Sequence, residues 1–161
     1  MVVAGRLRGA GRDGVSHTLC RSRARCDLYR CDLCVAFHLA QRHLAFDEPI
    51  PDFACRYPNV LESCLAVPFQ RFYGQPAYST LVAKASILFY LMIKNHPFQN
   101  GNKRVAITTL CVFLLDNKKW LTIDLDLLYR FTVWIAESKP EDKDFVLAAT
   151  HRVLSAHLLK A

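Results

Sequence analysis

The chain has 161 residues, 52% of them hydrophobic and 22% charged, a balance that excludes a disordered or low-complexity polypeptide and suits one domain with a real core. Its formal charge of +7 is unevenly placed: residues 1–30 hold seven arginines against two aspartates, and the remaining 131 residues carry a surplus of only two positive charges. The basicity belongs to the head, so a nucleic-acid partner is not expected of the body.

In chain order, residues 1–30 read as a separate basic extension. Gly5, Gly9, Gly11 and Gly14 interrupt the stretch, and no helical or strand period runs through it. A disordered segment, or residues translated from an upstream start, fit better than a nucleic-acid-binding arm, because no aromatic residue interleaves with the arginines before Tyr29. A transit peptide is a further reading, weakened by few serines, and no continuous apolar core marks a secretory signal. Residues 31–161 form the expected domain.

Within the domain, a first helix is predicted over roughly 27–42. Asp47–Asp52 is a loop, since Pro49 and Pro51 break helix and sheet. Asn59 is placed as the cap of a short helix ending near Ala66. Residues 68–79 are irregular and include a short hairpin or loop. Leu81–Lys94 and Asn102–Asp116 are apolar helices. Asn117–Lys119 is a polar turn, Leu125–Glu137 a helix, and Pro140 opens a last helix over about 141–159. Trp120 and Trp134 are expected in the core or capping it. The longest apolar runs, Ala85–Ile93 and Val105–Leu115, fall short of the roughly 20 residues that span a bilayer. The expected fold is all-α, and the expected location cytoplasmic.

The seven cysteines, Cys20, Cys26, Cys31, Cys34, Cys55, Cys64 and Cys111, are an odd set without a signal peptide, which points to reduced thiols. Cys31 and Cys34 form a C-x-x-C, but irregular spacing upstream argues against a zinc site with Cys20 and Cys26. Cys64 and Cys111 fall in apolar helical runs and read as core. Of the other histidines, His17 lies in the head, His38 and His43 read as partly exposed helix residues, and His151 and His157 lie near a helix end; none carries a pattern.

The chemistry concentrates in His96-Pro97-Phe98-Gln99-Asn100-Gly101-Asn102-Lys103-Arg104, the connection between the two apolar helices. Polar residues in a loop held by rigid helices mark a site. Gly101 admits torsions closed to other residues and lets a ligand approach the backbone. A helix starting at Gly101 or Asn102 leaves its first amides unpaired, and with the positive end of its dipole these make an anion site. Lys103 adds charge there, and Arg104 can grip a phosphate with two parallel bonds. His96, on the opposite lip, can take a proton from an incoming hydroxyl. The residues alone therefore describe a general base beside a phosphate cradle.

This segment resembles the signature of the Fic/Doc (death-on-curing) family, H-x-F-x-[D/E]-[G/A]-N-[G/K]-R. The stretches Ala36–His43, Asp47–Asp52 and Asn59–Ala66, with Pro68, Phe72, Tyr73, Gly74 and Tyr78, are also similar to Doc-like proteins, so the likeness covers about residues 35–158. It implies a mainly helical bundle with a short flap beside the loop. It implies His96 as the base that activates a target Ser, Thr or Tyr hydroxyl, and Phe98 as a buried anchor. Gly101, Asn102 and Lys103 would form the anion hole, and Arg104 would hold a phosphate of ATP. Lys103, and Ile107 where AMP-transferring members have a second arginine, favour the Doc-like branch. Its members phosphorylate a translation elongation factor and are held in check by an antitoxin.

One specified position departs from the signature. Asn100 stands where the family has the acid that holds Mg2+ on the nucleotide, and a neutral amide oxygen is a weaker ligand for a hard cation. Three readings follow: a Doc-like phosphotransferase, a Fic-type AMP transferase, or a Fic-fold binding module that has lost its chemistry at Asn100. The inhibitory pattern [S/T]-x-x-x-E-[G/N] is absent from the sequence, so restraint would come from a separate antitoxin.

Overall fold

The computed structural model of the protein describes residues 30–44 and 48–160. The expectations for the basic head, for the start of the first helix before Arg30 and for Asp47 lie outside the described residues, as do Cys20, Cys26 and the side chain of Cys31 that a zinc site would need. The described residues form a mainly α-helical bundle of six helices with two small two-stranded antiparallel sheets. None of these helices is long and apolar enough to cross a membrane.

The bundle is organised around α4 (Asn102–Asp116). Ten of its fifteen residues are buried, including Val105, Ala106, Ile107, Leu110, Phe113 and Leu114. A helix apolar on most sides must be enclosed, and α4 is: α1 (Arg30–His43), α3 (Leu81–Lys94), α5 (Leu125–Glu137) and the strand β3 (Lys119–Leu121) all pack on it. α3 supplies the facing core with Ile87, Leu88, Phe89, Met92 and Ile93. Thr80 starts α3 by accepting from the Ala83 amide at 3.1 Å. Asp124 starts α5 by accepting from Asp126 and Leu127 at 2.9 and 3.2 Å. These polar caps satisfy donors that no earlier turn can reach. At the other end, Lys94 Nζ of α3 donates to Ala136 O and Ser138 O at 3.1 and 2.6 Å, closing the C-terminus of α5.

The ranges of α3, α4 and α5 agree with the sequence expectation. Three other places differ. The short helix α2 is Pro58–Ala66 with Tyr57 at its cap, so Asn59 lies inside it. Proline suits the first helical position because its missing amide would be unpaired there anyway. The last segment begins with a 3-10 turn, Pro140–Asp142, and continues as α6 (Lys143–His157). It then leaves the helix as β4 (Leu158–Lys160), which pairs antiparallel with β3, Trp120 opposite Leu159. Asn117 and Lys118 do turn the chain, Lys118 at φ 58, but Lys119 already belongs to the strand. Neither tryptophan is a core residue: Trp120 is 50% exposed and Trp134 39%, the latter stacked on Phe131. The region after α2 carries a hairpin, β1 (Arg71–Phe72) and β2 (Gln75–Pro76), whose tip holds the exposed Tyr73.

An aromatic cluster joins α1 to the loop before α4. Phe37, 1% exposed, lies 5.1 Å from Phe53 and 5.2 Å from Phe98, ring centre to ring centre. Phe37→Ala removes a buried ring whose neighbours are fixed from three elements, and should cost about 3–5 kcal/mol. Urea unfolding reads this as a fall in midpoint at constant slope; a loss below about 1 kcal/mol would show that the cluster collapses into the space.

Candidate active site

Two left-handed residues bracket the loop between α3 and α4. Asn95 ends α3, its amide bonded to Leu91 O at 3.0 Å. His96 then takes φ 48, and Gly101 takes φ 75 as the cap of α4. For glycine this is free, while a β-carbon at 101 would also come within 2.7 Å of Ile50 Cγ1. For histidine the left-handed region is uncommon and strained, and such residues gather at functional sites. Between them Pro97 and Phe98 point inward. Pro97 O accepts the Tyr57 amide at 2.9 Å, and Phe98 is 3% exposed, packed on Phe37 and Phe53.

Asn102 locks this arrangement. Its buried side chain accepts from the Phe98 amide at 2.9 Å and donates to Phe98 O at 2.8 Å. One side chain thus satisfies both backbone groups of a buried residue four positions earlier. The sequence reading places Asn102 in an anion hole; in the fold its side chain is committed to Phe98, and only its backbone amide can face a ligand. Val105 is the first residue of α4 whose amide closes a turn, onto Gly101 O at 2.9 Å. The amides before it have no carbonyl one turn back.

The loop opens on a cavity of about 910 Å3. His96, Gln99, Asn100, Gly101, Asn102, Lys103 and Arg104 line it, so the motif residues named from sequence meet in one place, with the exception of the inward-facing Phe98. Among the described residues no hydrogen-bond partner engages the exposed His96 imidazole, which leaves it open to an incoming group. Lys103 is half-buried on the cavity wall. Arg104 is 9% exposed, and its Nη1 donates to Leu44 O at 3.0 Å and Glu48 O at 2.8 Å. Part of the guanidinium expected to grip a phosphate is therefore spent on the backbone after α1.

Lining residues from α5 were invisible in the sequence: Leu125, Asp126 and Tyr129 form a wall, together with Ile107 of α4, which the resemblance had already singled out. Asp126 is engaged with Arg130 at 2.9 Å. Glu48 is the second carboxylate, and its Oε2 accepts from Asn100 Nδ2 at 2.7 Å. Asn100 Oδ1 in turn accepts from the Gly101 amide at 2.6 Å. The family's divalent cation prefers anionic oxygen. Glu48 brings a carboxylate beside the place where the signature has its acid, so an anionic oxygen suited to such a cation is present, while Asn100 turns its amide donor toward that carboxylate. No local motif marks Glu48, because its partner is 52 residues away. Among the described residues no thiol lines the cavity, and burial pushes Cys64 and Cys111 above the ordinary thiol range.

The profile of the Fic/DOC family matches residues 34–114, which spans α1 through most of α4 and the whole loop. The chain is 35% identical over 68 residues to Toxin Doc of Mycolicibacterium smegmatis, an alignment covering 42% of this chain and 52% of that protein. The chain thus spans about half the length of this curated relative. No solved structure matches.

Asn102→Ala would leave the Phe98 amide and carbonyl buried without partners. At about 1–3 kcal/mol for each orphaned group, the variant should lose roughly 2–6 kcal/mol. Thermal unfolding checks this; stability equal to the parent would mean that the loop finds other partners.

Proposed function

The chain belongs to the Fic/DOC family, and from that premise we propose that it is a Doc-like protein kinase, transferring the γ-phosphoryl group of ATP to a hydroxyl of a target protein. One observation carries this reading: a solvent-open histidine and the amide-bearing start of a buried helix, with Lys103 on it, line the same cavity. The volume lies in the range of small-ligand and cofactor sites, about 300–1,000 Å3. Ile107, Leu125 and Tyr129 give the cavity an apolar wall suited to a base, and Lys103 with the first amides of α4 give it a cationic end suited to phosphates.

The chemistry follows from that layout. A target Ser, Thr or Tyr oxygen bonds to the γ-phosphorus while its proton passes to a ring nitrogen of His96. The bond from phosphorus to the β–γ bridging oxygen breaks, and ADP leaves with the negative charge. His96 then gives its proton to solvent. Charge develops on the transferring oxygens, where the fixed amides at the start of α4 and Lys103 oppose it without having to reorganise. Mg2+ accompanying ATP would sit by Asn100 and supply further neutralisation of phosphate charge.

Lys103 and Ile107 favour phosphoryl over AMP transfer. Ile107 is 3% exposed and lines the cavity, so no second arginine reaches the phosphates from that turn of α4. The similarity to a protein named Toxin Doc supports a toxin, which in this reading belongs to a toxin–antitoxin pair and acts in the cytoplasm. A translation elongation factor is the target class that the resemblance suggests. The antitoxin would be a separate chain, a disordered segment that folds into a groove of this one. AMP transfer, and a binding module without chemistry, are the competing outcomes of the test below.

Purified protein is incubated with bacterial lysate and Mg2+, with ATP labelled at the γ-phosphate in one sample and the α-phosphate in another. A protein band labelled from the γ-position only, and reduced on the order of 10²–10⁴-fold by His96→Ala, is expected. Label from the α-position would make it an AMP transferase. Absence of His96-dependent label from either would favour the binding module.

A further inference from the structure

Asn100 removes the signature's acid, but not the carboxylate from its neighbourhood. Glu48 Oε2 stands 2.7 Å from Asn100 Nδ2, on the same cavity wall as Lys103 and the start of α4. Asn100 is the donor in this contact, and its Oδ1 faces the Gly101 amide, so Asn100 holds the carboxylate and does not itself present an oxygen beside it. Mg2+ is commonly bound by one or two carboxylates, its remaining positions filled by waters and substrate phosphates, so one carboxylate beside the phosphate end is enough to hold it.

Glu48 is not a loose surface acid, because its backbone is fixed from several sides. Arg104 Nη1 holds Glu48 O at 2.8 Å and Leu44 O at 3.0 Å. Gln41 Nε2 donates to Ile50 O and Pro51 O at 3.1 and 3.2 Å. Ile50 is buried against Gly101, with no room for a β-carbon between them. A buried arginine, a helix glutamine and the cap of α4 thus set the backbone around Glu48, and the Asn100 amide holds its carboxylate. Left beside the phosphate end of the cavity without a cation, that charge would repel an anionic ligand. With a cation bound between carboxylate and phosphates, the same charge becomes favourable.

We infer that Glu48 supplies the anionic ligand for the divalent cation of a bound nucleotide, with Asn100 as its neutral neighbour, so that the carboxylate of this site comes from the segment after α1 and not from the α3–α4 loop. The inference rests on the proposed nucleotide site. It assigns Arg104 a second role: by holding Glu48 O it positions the metal ligand.

The test measures the affinity of the whole protein for a fluorescent, non-hydrolysable ATP analogue, with Mn2+ and separately with EDTA. In the parent protein Mn2+ should tighten binding. Glu48→Gln should weaken the Mn2+-loaded complex by about tenfold or more, the scale on which lesser changes around metal ligands already act. It should also leave metal-free binding equal or tighter, since a like charge beside the phosphates has gone. A merely structural role for Glu48 would weaken both, and would show as a lowered melting temperature. Adding Asn100→Asp to Glu48→Gln returns a carboxylate to the site and should restore the Mn2+ effect. Equal Mn2+ enhancement in the parent and Glu48→Gln overturns the inference while the nucleotide reading stands. So does parent binding that Mn2+ does not strengthen. Absence of binding in both conditions overturns the nucleotide reading and this inference with it.

Discussion

The reciprocal pair of hydrogen bonds between Asn102 and the backbone of Phe98 is the constraint on which the site depends. It ties the first residue of a buried helix to the middle of the preceding loop, at 2.9 and 2.8 Å. The loop can then be short and sharply turned while its buried backbone groups stay satisfied. Because α4 is enclosed by α1, α3, α5 and β3, its N-terminus cannot drift, and neither can the amides it presents to the cavity. The proposed anion site, made of backbone, is only as well placed as the helix that carries it, and that helix is the core of the molecule.

The nine-residue motif therefore divides by direction, not by chemistry. His96, Gln99, Asn100 and Lys103 face the cavity. Phe98 faces the aromatic cluster with Phe37 and Phe53. Asn102 and Arg104 do both, through different parts of the residue: a backbone amide or a cavity-lining edge toward the ligand, and side-chain donors toward Phe98, Leu44 and Glu48. Polar residues buried at 9% exposure persist because each makes such bonds. Leu44 and Glu48 are thereby part of the site, although they are distant from the motif in sequence.

This division explains what the sequence could and could not reveal. α3, α4 and α5 were legible because long apolar runs bounded by Thr80, Gly101 and Asp124 carry their limits locally. The gathering of His96, Gly101 and Lys103 was legible for the same reason, since nine consecutive residues cannot spread far. The strand pair of Lys119–Leu121 with Leu158–Lys160 was not, because three-residue strands have no measurable period and their pairing is settled by where α6 ends. The tryptophans misled because large rings are usually well covered, whereas Trp120 and Trp134 are 50% and 39% exposed. Glu48 was hidden for a third reason. Its sequence, beside two prolines, says only that the chain turns; its meaning comes from Asn100, Arg104 and Gly101 in the folded state.

His96 shows how the same fold handles strain. A non-glycine residue at φ 48 costs on the order of 1–3 kcal/mol and survives only where its surroundings over-determine it. The residues on either side meet that condition. Lys94, two positions before, is fixed to the end of α5 through Ala136 O and Ser138 O. Asn95 closes α3 on Leu91 and reaches Cys64 with its side chain, at 3.6 Å. Pro97, one position after, is buried and accepts from Tyr57. The backbone at 96 has no freedom to relax, so the strain is held by α2, α3 and α5 together, while the imidazole itself is left exposed and unengaged among the described residues. In the proposed reaction a base placed this way has no backbone to order when a hydroxyl arrives, because that ordering took place at folding rather than at binding.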